Sequence, residues 1–163
     1  MSKTLLVYPE KCLGCRICEM FCSLSHTETC NPARSRINIV KMNYDVHCVP
    51  MMCQQCTDAP CEAACPERAI HRNQTTGAME TNLSLCIGCR ACLFACPFGA
   101  TSFDSSEKAV FRCDLCEGEP RCAEACPYGA IVYAEQDRQG LHKKRNAVEQ
   151  FMAALEPLRS AAK

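Results

Sequence analysis

The stretch Cys86-Ile-Gly-Cys-Arg-Ala-Cys-Leu-Phe-Ala-Cys-Pro97 decides how this chain is read. Cysteines fall on every third position through Cys86, Cys89 and Cys92, Cys96 follows four on, and Pro97 closes the run. This is the C-x2-C-x2-C-x3-C-P spacing of an iron–sulfur cluster loop, in which three thiolates take three corners of one cubane and the fourth reaches a second cluster. Gly88 permits close backbone approach. Pro97 sets φ and helps end the turn.

Outward from this stretch the rhythm recurs three times. The other groups are Cys12, Cys15, Cys18 and Cys22; Cys53, Cys56, Cys61 and Cys65; and Cys113, Cys116, Cys122 and Cys126. Together they use 16 of the 18 cysteines, which is enough for four [4Fe-4S] clusters. The first group carries Ser23 where proline is expected, so its exit turn differs. The second and fourth groups have one wider gap, holding Pro60 and Pro120. Three groups share a sequel: Cys65-Pro-Glu-Arg-Ala-Ile70, Cys96-Pro-Phe-Gly-Ala-Thr101 and Cys126-Pro-Tyr-Gly-Ala-Ile131. Each predicts a helical turn carrying the last two cysteines, then a reverse turn and a short strand. That is an internal repeat, and its period defines the fold.

A chain of 163 residues suits one domain or two very small ones. So many cysteines in a short chain also suit a disulfide scaffold. However, Met1-Ser-Lys-Thr-Leu-Leu-Val-Tyr8 has too short an apolar run for a signal peptide and no small-residue cleavage site. A cytoplasmic setting is therefore expected, where thiols stay reduced and grouped cysteines serve metals. No apolar run approaches the ~18 residues of a membrane span. The formal net charge is zero and no basic block occurs, which argues against nucleic acid as a partner. With six phenylalanines, four tyrosines and no tryptophan, large side chains are too few for an ordinary core of this size. Inorganic cubanes are expected to fill that volume and to supply folding free energy.

Between the cysteine groups, Thr4–Tyr8 predicts a strand and Ser35–Lys41 a half-buried one by its alternation. Thr27–Pro32 is a loop by composition. Further strands are expected at Ala69–His71, Met79–Thr81, Thr101–Phe103, Ala109–Arg112 and Ile131–Tyr133, with Asn73–Gly77 as a hairpin turn. Gln136–Gly140 reads as a linker. His142–Arg159 then reads as a helix with Val148, Phe151, Met152 and Leu155 on one stripe, either packed on its own domain or docked on a partner subunit.

In paired loops of this type, the first three cysteines of one share a cluster with the last cysteine of the other. Spacing leaves the partners open: consecutive groups can pair, or the second with the third and the first with the fourth. The layout of one compact first group, a C-x2-C-x4-C-x3-C-P second group and a C-x2-C-x5-C-x3-C-P fourth group resembles the four-cluster iron–sulfur subunits of the dimethyl-sulfoxide-reductase type. That family includes the small electron-carrying subunits of formate dehydrogenases, hydrogenases, carbon monoxide dehydrogenases and tungsten aldehyde oxidoreductases. The resemblance covers residues 1–135. It implies an α+β fold of two nested bacterial-ferredoxin-like modules, a polyferredoxin, with short hairpins, to which the apolar stripe adds a C-terminal helix at 141–159. The outer module would be 1–47 plus 104–135 and the inserted one 48–103, with two clusters each. The ligand sets it implies are Cys12, Cys15, Cys18 with Cys126; Cys113, Cys116, Cys122 with Cys22; Cys53, Cys56, Cys61 with Cys96; and Cys86, Cys89, Cys92 with Cys65. Through Cys22-Ser-Leu-Ser-His26 and Asn31-Pro-Ala-Arg-Ser-Arg-Ile37, the chain is most similar to the small subunit that accompanies a tungsten-pterin aldehyde oxidoreductase.

The function implied is a non-catalytic relay of single electrons. They would pass between a tungsten- or molybdenum-pterin catalytic subunit and an acceptor such as a flavin subunit. Head-to-tail self-association would extend the row of clusters. No general base or nucleophile stands out. All-cysteine ligation predicts potentials in the low part of the cluster range. Arg16 and Arg90, each following a second cysteine, are candidates to stabilise a reduced cluster, against the plainer reading of solvated charges. Cys30 and Cys48 read as small hydrophobes or substitute ligands, His26 and His47 as replacements for a missing cysteine, and Met51 and Met52 as packing. The rivals from other classes are a structural zinc protein and a redox sensor with one labile cluster.

Overall fold

In the computed structural model the described residues are 3–42, 47–105, 107–135 and 148–149. The apolar run Leu5-Leu6-Val7 forms β1 (Lys3–Val7), which ends before Pro9. The first cysteine group enters α1 (Ile17–Thr27). With no proline after Cys22, nothing stops this helix, and it runs 11 residues to a left-handed Glu28 at φ 54°. A hairpin follows, β2 (Ile37–Met42) with β3 (His47–Met52). The sequence reading has no β3, because Pro50 interrupts its pattern. A two-stranded ladder has two edges, so Pro50 is accommodated opposite Ile39.

The chain continues through α2 (Pro60–Ala63), β4 (Ile70–Arg72), β5 (Met79–Thr81), α3 (Ala91–Ala95), β6 (Thr101–Asp104), β7 (Ala109–Arg112), α4 (Arg121–Glu124) and β8 (Ile131–Glu135). Asn73 closes the β4–β5 turn: its carbonyl accepts from Gly77 N at 2.9 Å and its Oδ1 from Thr75 N at 2.8 Å. In α2, α3 and α4 the helical turn carries only the third cysteine, Cys61, Cys92 or Cys122, and not the last two as the sequence predicts. A residue before proline is pushed out of the helical region, so Cys65, Cys96 and Cys126 fall beyond the helix. The reverse turn that follows recurs three times. Arg68, Gly99 and Gly129 donate backbone N–H to the carbonyls of Cys65, Cys96 and Cys126 at 3.2, 3.2 and 3.3 Å.

The sheets are β1–β8, β2–β3, β4–β5 and β6–β7, all antiparallel pairs. The first strand therefore closes on the last, with Leu5 opposite Tyr133. Two apolar cores result. One draws on both ends of the chain through Leu5, Ile37, Ile39, Met52, Leu115 and Ile131, with Cys18, Cys22, Cys113 and Cys122 among them. The other is built from the middle: Ala59, Ile70, Met79 and Val110 with Cys61 and Cys92. Cys53 packs against both. Hairpin β6–β7 runs across the expected 103/104 boundary. The expected helix His142–Arg159 lies outside the described residues apart from Val148 and Glu149. Among the described residues no helix is long and apolar enough to cross a membrane.

Candidate metal centre

The 18 cysteines, all among the described residues, form no disulfide. Two hollows lie between the inner elements. One, about 330 Å³ counting its open mouth, is lined by Cys86, Cys89, Cys92 and Cys65. The other, about 340 Å³, is lined by Cys53, Cys56, Cys61 and Cys96. Each hollow thus takes three cysteines from one group and the last cysteine of the other. The Cys-Pro turns aim those last cysteines. Ala69 N and Ala100 N donate to Cys65 Sγ and Cys96 Sγ at 3.3 and 3.4 Å.

The outer cysteines gather likewise. Cys12 has Cys15 and Cys126 as electrostatic neighbours, and Cys18 has Cys12 and Cys15. Cys113 faces Cys122 and Cys22. Cys122 faces Cys22, Cys116 and Cys18, so the two outer sets adjoin. Cys22 Sγ accepts from Arg36 N at 3.3 Å. Gln55 Nε2 donates to the Cys113 carbonyl at 2.8 Å and Gln55 Oε1 accepts from Met79 N at 2.6 Å, tying the outer set to the inner core.

Left-handed backbone curls each loop. Gly14 and Arg16 (φ 69° and 62°) do so in the first group, and Gly88 and Arg90 (φ 68° and 64°) in the third. In the wide groups the role falls to Gln55 (φ 50°) and to Leu115, Cys116 and Glu117 (φ 61°, 48° and 57°). Turns that alternate hand point successive N–H groups into one concavity, which favours an anion there. A Cβ on Gly88 would stand 2.6 Å from the Lys108 carbonyl oxygen, so that position needs glycine for space as well as for φ.

The donors fit a cluster better than a single ion. Tetrahedral zinc with Zn–S of about 2.3 Å holds its sulfurs about 3.8 Å apart. Among the described residues only His26, Asp114 and Cys116 bring three ligand atoms within 4.8 Å of one another, and no cysteine quartet closes so tightly. Burial pushes the Cys12, Cys53 and Cys92 thiols up, Cys18 up to about 12, and Cys113 and Cys122 well above the usual thiol range. Neighbouring sulfurs add repulsion in most of these sites. Such crowded thiols become thiolates once a metal centre supplies the positive charge. Two further buried groups line the inner hollows: the Thr81 hydroxyl in the first, without a hydrogen-bond partner, and the Arg112 guanidinium in the second, which meets the Cys92 thiol of the first and no oxygen acceptor among the described residues.

The remaining candidates separate by environment. Arg16 Nε pairs with Glu19 Oε2 at 2.7 Å, and Glu19, 1 % exposed, accepts from Ile39 N at 2.6 Å through its other oxygen. The Arg90 guanidinium stacks on Phe103 at 3.9 Å and lines the first hollow. Cys30 is exposed, whereas Cys48 is buried beside Cys12 and under Gly14. His47 is exposed. Met52 is core, and Met51 is half-buried. His26 bridges Asp114 (3.1 Å) and the Cys22 carbonyl (2.8 Å), with Cys116 Sγ at 4.0 Å. The hydrogen bond to Asp114, with help from both sulfurs, pushes its pKa up to about 12.

Sequence reasoning missed Thr81, Asp114, Glu19 and Arg112. For Arg112 a signal existed. In a strand, alternate residues share a face, and Val110, two positions earlier, is core.

Residues 44–136 match the model of the 4Fe-4S dicluster domain family. The chain is 42% identical over 111 residues to the polyferredoxin-like subunit of an aliphatic sulfonate oxidoreductase from Pyrococcus furiosus, covering 68% of this chain and 64% of that one. It is 36% identical to formate hydrogenlyase subunit 2 of Escherichia coli, covering 66% and 51%. It is 38% identical to the electron transport protein HydN of Escherichia coli, covering 61% and 59%. The chain thus spans between half and two thirds of the length of these relatives.

Proposed function

The chain belongs to the 4Fe-4S dicluster domain family, and from that premise we propose that it is a non-catalytic electron-carrying subunit of an oxidoreductase complex with four [4Fe-4S] clusters. When bound, each cluster supplies reversible one-electron chemistry. The sixteen grouped cysteines hold them, in the four sets named above. One observation carries this reading. The inner hollows exchange their last cysteines, Cys65 lining the hollow of the third group and Cys96 that of the second. That exchange is what paired cluster loops require.

The pairing of β1 with β8 supports nesting, with 1–47 and 104–135 wrapped around 48–103. Packing supports one order of the row. The hollow of Cys65 and Cys86 comes first, then that of Cys53 and Cys96, then the Cys22–Cys113 set, then the Cys12–Cys126 set. The chain's own work is to fix these positions, bury the sulfurs and aim backbone N–H groups at them.

The partner is a catalytic subunit carrying tungsten- or molybdenum-pterin, a tungsten aldehyde oxidoreductase being the first choice, with a flavin subunit or similar carrier as acceptor. Likeness to a subunit of formate hydrogenlyase favours a second reading, in which the partner is a formate dehydrogenase or hydrogenase. The relay would sit in the cytoplasm, with residues 141–159 available for docking. Purifying the tagged chain anaerobically from its own host tests both. Nickel in the co-purified subunit supports the hydrogenase arm of the second reading; with tungsten- or molybdenum-pterin, oxidation of aldehyde but not formate supports the first reading and oxidation of formate the second. A chain that arrives colourless and takes up no electrons from dithionite contradicts the relay itself.

A further inference from the structure

Arg112 is the last residue of β7, and only 3 % of it is exposed. All three of its guanidinium nitrogens are buried, and among the described residues no oxygen acceptor meets them; the partners they find are cysteine sulfurs, Cys92 by a side-chain hydrogen bond and Cys53 by charge. Arginine cannot shed its proton to escape this cost. A buried charge with incomplete hydrogen bonding is strongly destabilising. With cysteine sulfurs and no carboxylate beside it among the described residues, this charge is balanced where those sulfurs carry or hold negative charge.

The surroundings say where that negative charge belongs. Arg112 lines the hollow ringed by Cys53, Cys56, Cys61 and Cys96. Its strand register sets it opposite Thr101, which lines the same hollow. Its charge also reaches Cys92 in the adjoining hollow, where it opposes the rise that burial gives that thiol. Its chain neighbour is Cys113 of the outer set. The other arginines beside cysteine loops are already engaged, Arg16 by Glu19 and Arg90 by Phe103.

We propose that Arg112 is the built-in counter-cation of the cluster in the Cys53–Cys96 hollow and sets its reduction potential. This rests on the reading that those cysteines hold a cluster. A cubane held by four thiolates is an anion, and taking up one electron from a reductant makes it one charge more negative. Arg112 is charged before and after, so no proton moves with that electron. A fixed cation in a low-dielectric site stabilises the more negative state more strongly. Arg112 therefore raises the potential of that centre above its neighbours and makes it the site where an entering electron settles.

The test is an EPR-monitored dithionite titration of the full chain, reconstituted anaerobically, as wild type, Arg112→Gln and Arg112→Lys. In Arg112→Gln the reduction equilibrium of one centre should fall by about tenfold or more, which for one electron is about 59 mV. Arg112→Lys should stay within about threefold of wild type. Unchanged potentials in Arg112→Gln at full iron load, or an equal fall in Arg112→Lys, would overturn the proposal. Where Arg112→Gln loses iron instead, retention by Arg112→Lys supports the charge, and equal loss in both reduces Arg112 to a packing residue and overturns it. Wild-type chain with no iron or sulfide would instead refute the ligand reading.

Discussion

His26 Nε2 stands 3.1 Å from Asp114 Oδ1, so α1 is tied to the opening of the fourth cysteine group 88 residues later. Asp114 also meets Arg36 Nη1 and accepts from Cys116 N at 3.0 Å. Although burial opposes it, these partners hold the Asp114 carboxyl well below the usual range. Hydrogen bonds to charged groups contribute about 1.5–3 kcal/mol each. His26→Ala and Asp114→Ala should each lower the urea concentration that bleaches the clusters. Because they share one interaction, the double variant should cost about 1 kcal/mol less than the sum. Full additivity would show that the contact contributes nothing.

Gly88 and Gly99 are both left-handed, at φ 68° and 58°, but only Gly88 faces an obstacle, the Lys108 carbonyl. Gly99→Ala should cost about 1–2 kcal/mol for its backbone alone. Gly88→Ala should cost more and should displace the Cys86–Cys92 loop, with loss of iron from that site. Iron per chain and the bleaching midpoint measure both. Equal effects would mean that the loop gives way without strain.

The exchange of last cysteines makes a prediction about pairs. Cys65→Ala and Cys89→Ala strike one hollow, so the double variant should lose no more than one cluster. Cys65→Ala with Cys53→Ala strikes two hollows and should lose two. Cys30→Ser, at an exposed site, should lose none. Iron and acid-labile sulfide analysis reads all three; two clusters lost from both double variants would point to consecutive pairing, and the reverse ordering to each group holding its own cluster.

Glu19 is buried with Ile39 N and Arg16 as partners. Glu19→Gln keeps an acceptor for Ile39 N, whereas Glu19→Ala leaves that N–H unpaired at about 1–3 kcal/mol. Proteolysis of the cluster-loaded chain should be faster for the alanine variant than for the glutamine variant. Equal rates would assign the whole role to the charge.

Much of this was legible from spacing. Met79–Thr81 and Ala109–Arg112 are strands with the expected bounds, because turn residues bracket short apolar runs. The cysteines that line each inner hollow sit in motifs whose rhythm is set by the cubane, so the sequence displays them openly. The rest depends on contacts between distant segments. β3 hides behind Pro50 and needs β2 to exist. Thr81, Asp114 and Glu19 look like ordinary polar residues until the fold buries them. Arg112 reads as a strand-ending charge unless the alternation from Val110 is followed through. Spacing alone left open which last cysteine serves which loop, since that is decided by how the hairpins pack.

The most direct test is native mass spectrometry of the full chain, purified and sprayed without oxygen. Four clusters per chain require a single main species heavier than the apo-chain by four [4Fe-4S] units, about sixteen irons with their sulfides. A chain carrying zinc, or one holding at most a single cluster after careful reconstitution, would contradict that reading.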